Sequence, residues 1–188
     1  MDSAGSSRLT ATKIVVAGGF GVGKTTFVGA VSEITPLTTE ALMTDASQGI
    51  DDLGHTPAKT TTTVAMDFGR LSLDQDLILY LFGTPGQYRF WFMWDDLVRG
   101  AIGAVVLVDS RRLADSFPAV DYFEESGIPF VIGLNGWDGA FPHVESEVRE
   151  ALTLSAHVPI VRTDARAREA VKHTLITLVE HALTVRSR

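Results

Sequence analysis

Gly18-Gly19-Phe20-Gly21-Val22-Gly23-Lys24-Thr25 satisfies the pattern GxxxxGK[ST]. It follows the apolar run TKIVVA (12–17) and opens a helical pattern at Lys24. That strand-before, helix-after setting is the one in which the pattern carries chemistry. Glycines let consecutive backbone amides turn inward toward phosphate oxygens, at the positive end of a helix. Lys24 then reaches the β- and γ-phosphates, and the Thr25 hydroxyl ligates Mg2+. A glycine-rich turn that merely caps a helix is the plainer alternative, and the flanking elements speak against it. With Thr26, the nucleotide-binding stretch runs from residue 18 to residue 26.

Outward from this loop, apolar runs alternate with helical patterns, which predicts an α/β fold around a mostly parallel sheet. Six strands are expected, at 12–17, 63–71, 77–82, 101–108, 129–134 and 158–162. Only SLDQD (72–76) separates the second and third, too little for a crossover, so that pair forms one antiparallel hairpin. The others need crossovers and run parallel. About five helices are expected on the two faces, at 24–33, 90–99, 117–125, 143–154 and 165–185. The last carries Val171, Leu175, Leu178, Val179, Ala182 and Leu183 on one stripe. Residues 34–62 hold Thr, Asp, Gly and Pro at loop density, and a connection of that length is usually functional. The first ten residues, MDSAGSSRLT, read as a disordered tail before a domain at 11–188.

The 188 residues suit one domain able to bury a core without staples. With no cysteine, disulfides, thiolate metal sites and cysteine nucleophiles are excluded together. The net charge of −7 argues against a nucleic-acid surface, although six basic residues fall between Arg162 and Arg188. Glu169 and Glu180 interleave with them, as on a solvated helix face. The longest wholly apolar runs, 77–82 and 104–108, are far shorter than the ~18 residues of a membrane span. Asp2 stands where myristoylation would need glycine, so none is expected, and the sequence holds no cysteine for prenylation. The expectation is a cytoplasmic protein with no intrinsic membrane anchor. The five histidines have no metal-ligand spacing.

Two later segments choose the base. Asn135-Gly136-Trp137-Asp138 follows the fifth expected strand and contains NxxD. A carboxylate at Asp138 accepts from both N1–H and the exocyclic amine of guanine, a donor pair that adenine lacks. Thr163-Asp164-Ala165-Arg166 follows the sixth, where the Ala165 amide can donate to guanine O6 and Arg166 joins the nucleotide-binding set. Asn and Asp are ordinary turn residues, so neither segment is decisive by itself. Both at carboxyl ends of successive strands, after a phosphate loop, point to GTP and GDP.

With these residues the chain resembles a Ras-like small GTPase, and within that group the bacterial MglA-like branch. Actinobacterial conservon-type members match through KTTTTVAMDFG (59–69), LFGTPGQYRF (81–90), VDSRRLADSFP (108–118) and TDARAR (163–168). The resemblance spans about residues 11–186. It implies a P-loop G domain, GTP hydrolysis and a Mg2+ requirement. It further implies that Thr63 senses the γ-phosphate and Mg2+ as the switch I threonine, with Thr60, Thr61 and Thr62 as competing registers. Gly86 would meet the γ-phosphate through its amide, and Gln87 would orient the attacking water. The catalytic set is thus Gln87, Lys24 and Thr63, and the metal set Thr25 and Thr63.

Three departures modify this expectation. Gly83 stands where most Ras-like proteins place the aspartate that supports Mg2+ through water, a loss the MglA-like branch tolerates. Asp45, Asp51 and Asp52 could assist instead, against the plainer role of solvated loop acids. Gly136 replaces the lysine of NKxD, so a stacking aliphatic chain is missing. No arginine lies between Thr25 and Gly69, and Arg89 is the nearby candidate. An absent transition-state arginine is worth about 10³ to 10⁵ in rate, so hydrolysis by the isolated chain is expected to be slow.

Partner binding is expected beside Gln87. If 88–94 (YRFWFMW) is helical, Phe90 and Trp94 pack inward with Leu97, and Trp91, Phe92 and Met93 are either covered by an adjoining loop or form a partner-binding patch. The resemblance implies a roadblock-domain partner there, typically a homodimer, which stimulates hydrolysis, and a sensor-kinase-like membrane protein in the same complex. A hydrolysis-deficient nucleotide-binding scaffold is the alternative from another class. A ParA-like ATPase, suggested by GKTT, lacks its second lysine because position 19 is glycine.

Overall fold

In the computed structural model, residues 10–44, 61–74 and 76–187 are described. They form one sheet of seven strands: β1 (Thr10–Gly18), β2 (Leu37–Thr44), β3 (Thr61–Asp74), β4 (Leu77–Gly83), β5 (Gly103–Asp109), β6 (Phe130–Asn135) and β7 (Ile160–Thr163). Their order is β2-β3-β4-β1-β5-β6-β7. The five central and right-hand strands, β4, β1, β5, β6 and β7, pair in parallel. The six expected strands are all present, and β3 and β4 form the expected antiparallel pair. The correction lies at the edge. Leu37–Thr44 pairs antiparallel with β3, so part of the segment assigned to a loop adds a seventh strand and a second antiparallel pairing. Residues 45–60, with Asp45, Asp51 and Asp52, and residues 1–9 of the expected tail at 1–10 lie outside the described residues, whereas Thr10, assigned to that tail, opens β1.

Five helices cover the sheet: α1 (Lys24–Val31), α2 (Trp94–Val98), α3 (Phe117–Ser126), α4 (Glu145–Ala151) and α5 (Arg168–Arg186). Alternation along β1 sets the two layers. Ile14 and Val16 join Phe27 and Val28 of α1 and Val171, Leu175 and Leu178 of α5. Val15 and Ala17 face the other way, with Trp94 of α2, Val120 and Phe123 of α3 and Val148 of α4. β5 is buried along its whole length, as a parallel strand covered on both faces must be.

The expected helix at 90–99 is divided. Tyr88–Met93 winds as a 3-10 turn and only Trp94–Val98 is α-helical. The tighter winding eclipses i and i+3 side chains, and Trp91 stacks on Trp94 with ring centroids 4.7 Å apart. Phe90 and Trp94 are buried as expected. Of the anticipated outward patch, Trp91 and Met93 are half-buried, and Phe92 alone is largely exposed, at 61%.

Candidate functional site

The carboxyl ends of four parallel strands deliver four of the segments that the sequence singled out, as open α/β sheets do at their ligand edge. β1 runs into the phosphate loop, β4 into Gly83–Gln87, β6 into Asn135–Asp138 and β7 into Thr163–Arg166. Close packing shapes the first of these. A side chain at Gly18 (φ +140°) would put its Cβ 2.5 Å from the Leu107 carbonyl oxygen, so the loop hugs β5 only with glycine there. Gly23, at φ +104°, turns the chain into α1. Gly86 lies against the loop's far side, where an added Cβ would stand 2.7 Å from Lys24 Nζ.

Phe20, Gly21, Gly23, Lys24, Thr25, Thr26, Asp67, Thr84 and Gly86 line a cleft of about 350 Å3. Lys24 is buried within it and donates to the carbonyls of Gly18 (2.9 Å) and Gly19 (2.7 Å). Two of its three N–H groups are thereby anchored, and the third remains for a ligand. Burial pushes its pKa down to about 8, although the nearby Asp67 charge pulls the other way.

Asp67 is a candidate site residue that no sequence motif marks. It sits on β3, is buried, and accepts a 2.7 Å hydrogen bond from Thr25 Oγ1 on Oδ2. Its cross-strand partner on β4 is Gly83. A Cβ at Gly83 would lie 3.0 Å from both Cβ and Oδ2 of Asp67, so the carboxylate on β3 fills the space a side chain on β4 would need. The available signal was the lone acid inside the apolar stretch VAMDFG (64–69), facing a glycine.

These residues suit Mg2+. A hydroxyl and a single carboxylate are hard oxygen donors, and Mg2+ is usually held by one or two carboxylates plus phosphates and water. Thr84 Oγ1 is buried on the same wall without a hydrogen-bond partner, leaving a polar atom for a bound water or ligand. No cluster of three or more His, Cys, Asp or Glu occurs among the described residues, so a cation here draws the rest of its shell from phosphate and solvent.

Thr63 lies on β3 opposite Leu42. Four residues along a strand is about 13 Å, so its backbone stands well away from Asp67 in this conformation. Gln87 is exposed at the entrance to the 3-10 turn, with extended backbone (φ −82°, ψ 131°).

At the other end, the buried side chain of Asn135 joins three loops. Its Nδ2 donates to the Val22 carbonyl (3.0 Å), and its Oδ1 accepts from the Ala165 amide (3.0 Å). The Ala165 N–H is therefore engaged by Asn135 in this structure. Asp138 projects into solvent with its side chain 90% exposed and accepts from Arg166 Nη1 at 3.2 Å. Arg166 is held in turn by both Asp164 oxygens, at 3.0 Å each. A larger apolar groove of about 440 Å3, between Leu71, Leu79 and α5, lies apart from these loops and shares no residue with the phosphate cleft.

The family model described as "conserved hypothetical ATP binding protein" matches residues 16–185. The chain belongs to that family. A relative, the uncharacterized protein MJ1339 of Methanocaldococcus jannaschii, is 33% identical over 128 residues, covering 67% of this chain and 70% of its own. Among solved structures, the FeoB G-domain of Methanococcus jannaschii superposes with a TM-score of 0.61 at 14% identity, over 93% of this chain and 99% of that one. The cytosolic domain of the T. maritima FeoB iron transporter in a GDP form gives 0.65 at 19% identity, over 93% of this chain and 64% of that one. At such identities the likeness establishes the fold, a P-loop G domain. This member of a family described as ATP binding thus has a G-domain architecture, and among the chain's described residues no helix is long and apolar enough to cross a membrane.

Proposed function

We propose that this chain is a guanine-nucleotide switch, binding GTP and GDP with Mg2+ and hydrolysing GTP slowly. One observation carries the choice of guanine over the adenine of the family's description. The Asn135 side chain ties the phosphate loop to the 163–166 loop and leaves the Asp138 carboxylate projecting, paired only at one oxygen with Arg166. A projecting carboxylate accepts from two adjacent donors, and guanine offers them where adenine does not.

In this proposal Lys24 neutralises the β- and γ-phosphates, and Thr25 and Asp67 hold Mg2+, which supplies charge neutralisation at the phosphates. Gly86 senses the γ-phosphate, Thr63 approaches it in the GTP state, and Gln87 orients water. The MglA-like assignment agrees with Gly83, whose lost carboxylate Asp67 replaces in space. A roadblock-domain protein, docking beside Gln87 where Phe92 is exposed, is the proposed activator, in a signalling complex. The absence of any arginine from 26 to 68 supports a second reading, a scaffold that binds nucleotide without turnover. Calorimetric titration with GDP, GTP, ADP and ATP in Mg2+ tests the first point: guanine nucleotides bind far more tightly, and equal binding of ADP refutes it. Single-turnover hydrolysis with the activator present separates switch from scaffold.

A further inference from the structure

Asp109 ends β5 with a carboxylate only 2% exposed. Arg111 surrounds it, donating from its backbone N–H (2.9 Å) and Nε (3.1 Å) to Oδ1 and from Nη2 (2.9 Å) to Oδ2. These bonds hold the Asp109 carboxyl below the usual carboxylate range. The remaining donor to Oδ1 is Trp137 Nε1 at 3.1 Å, from the loop after β6. The Arg111 guanidinium also lies over the Trp137 ring, 4.1 Å from its centroid. The buried acid thus holds the indole next to Asp138 through Oδ1, with Arg112 Nε a longer 3.7 Å from Oδ2.

That clamp answers a mechanical need. Asp138 adopts φ +52°, a left-handed conformation that is strained for a residue with a Cβ. Such a conformation persists only where its surroundings over-determine it. Gly136, two residues before it, and Gly139, just after it, provide no side chain, and a Cβ at Gly136 would sit 2.4 Å from Phe141 Cζ. The Trp137 side chain is the loop's anchor, reinforced by the backbone pairing of Trp137 with Ala140.

We propose that Arg111 is a positioning residue for purine recognition. Through Asp109 and Trp137 it holds Asp138 in the turn that presents the carboxylate to the base, the work for which position 136 has no side chain. The inference rests on the guanine reading above and adds the residues that enforce it.

The test uses the full chain and measures affinity for GDP, for inosine diphosphate, which lacks the 2-amino donor, for ADP and for inorganic pyrophosphate. Arg111→Ala is expected to weaken GDP about tenfold and to shrink the GDP:inosine diphosphate ratio, leaving pyrophosphate affinity at the parent value. Trp137→Phe keeps a ring but loses the Nε1 donor, and is expected to shrink the same ratio. It stands in should Arg111→Ala fold poorly. A parent chain that binds GDP and ADP alike overturns the guanine reading and this inference with it. A selective parent whose two variants keep its GDP:inosine diphosphate ratio overturns the inference alone.

Discussion

Thr25 Oγ1 and Asp67 Oδ2 are 2.7 Å apart, the hydroxyl donating, and Asp67 stands directly across the β3–β4 ladder from Gly83. The acid expected on one strand has a counterpart on the neighbouring one, bonded to the phosphate-loop hydroxyl. Removing it should weaken Mg2+ support by about 10- to 100-fold, the usual cost of deleting a group that orients a metal ligand. Mg2+ titration of GDP dissociation measures this for Asp67→Ala. Because Gly83 and Asp67 share one space, the double variant Asp67→Ala, Gly83→Asp should recover part of the loss, whereas Gly83→Asp alone sets two carboxylates together and should destabilise the fold.

Lys24 gives a pH dependence. Its pKa, near 8 when folded, is below the ordinary lysine value of 10.5. Between those values the unfolded chain binds more protons, so without nucleotide stability should rise as pH increases from about 8 toward 10.5. Nucleotide binding runs the other way, because phosphate favours the charged ammonium and draws a proton in. GDP affinity should be flat near pH 7 and fall above 8, toward about tenfold per pH unit for one proton. Calorimetry in buffers of different ionisation enthalpy at pH 8 should register that uptake.

Asp138→Asn should cost GDP about 10² in affinity by exchanging a charged acceptor for an amide. The amide can donate to the C2 carbonyl of xanthine, so xanthosine diphosphate should gain over GDP. Competition binding of the two nucleotides reads the reversal.

Gly136→Ala should lower the melting temperature by several degrees, since its Cβ meets Phe141 at 2.4 Å and overpacking typically costs about 1–3 kcal/mol. Adding Phe141→Ala should relieve the clash. A melting curve for Gly136→Ala unchanged from the parent contradicts the packing described.

Turnover by the isolated chain should stay below about one per second, the low end of ordinary enzymes. Gln87→Ala should abolish whatever stimulation an activator provides, leaving GDP affinity unaltered.

Much of this was legible in the chain because local chemistry dictates it. GGFGVGKT needs a strand before and a helix after, and the apolar runs placed β1, β3, β4, β5, β6 and β7. What escaped depends on pairing across the sheet. LTTEALMT (37–44) carries Thr and Glu among its apolar residues and is an edge strand, defined by its pairing with β3. Asp67 carries no motif, unlike Gly83 on β4, and lies outside the acidic loop of Asp45, Asp51 and Asp52; only the register shows it facing Gly83. The winding of Tyr88–Met93 was misjudged for a similar reason. Its aromatic residues fit a helical stripe, but stacking of Trp91 on Trp94 favours three residues per turn.

Asn135 grips Val22 with one end of its amide and Ala165 with the other. The loops proposed to hold phosphate and base therefore share a hinge pin. A regulator that pries the 163–166 segment outward would slacken the cradle around the anionic tail without touching it, and the bound nucleotide could be expelled by leverage from its far end.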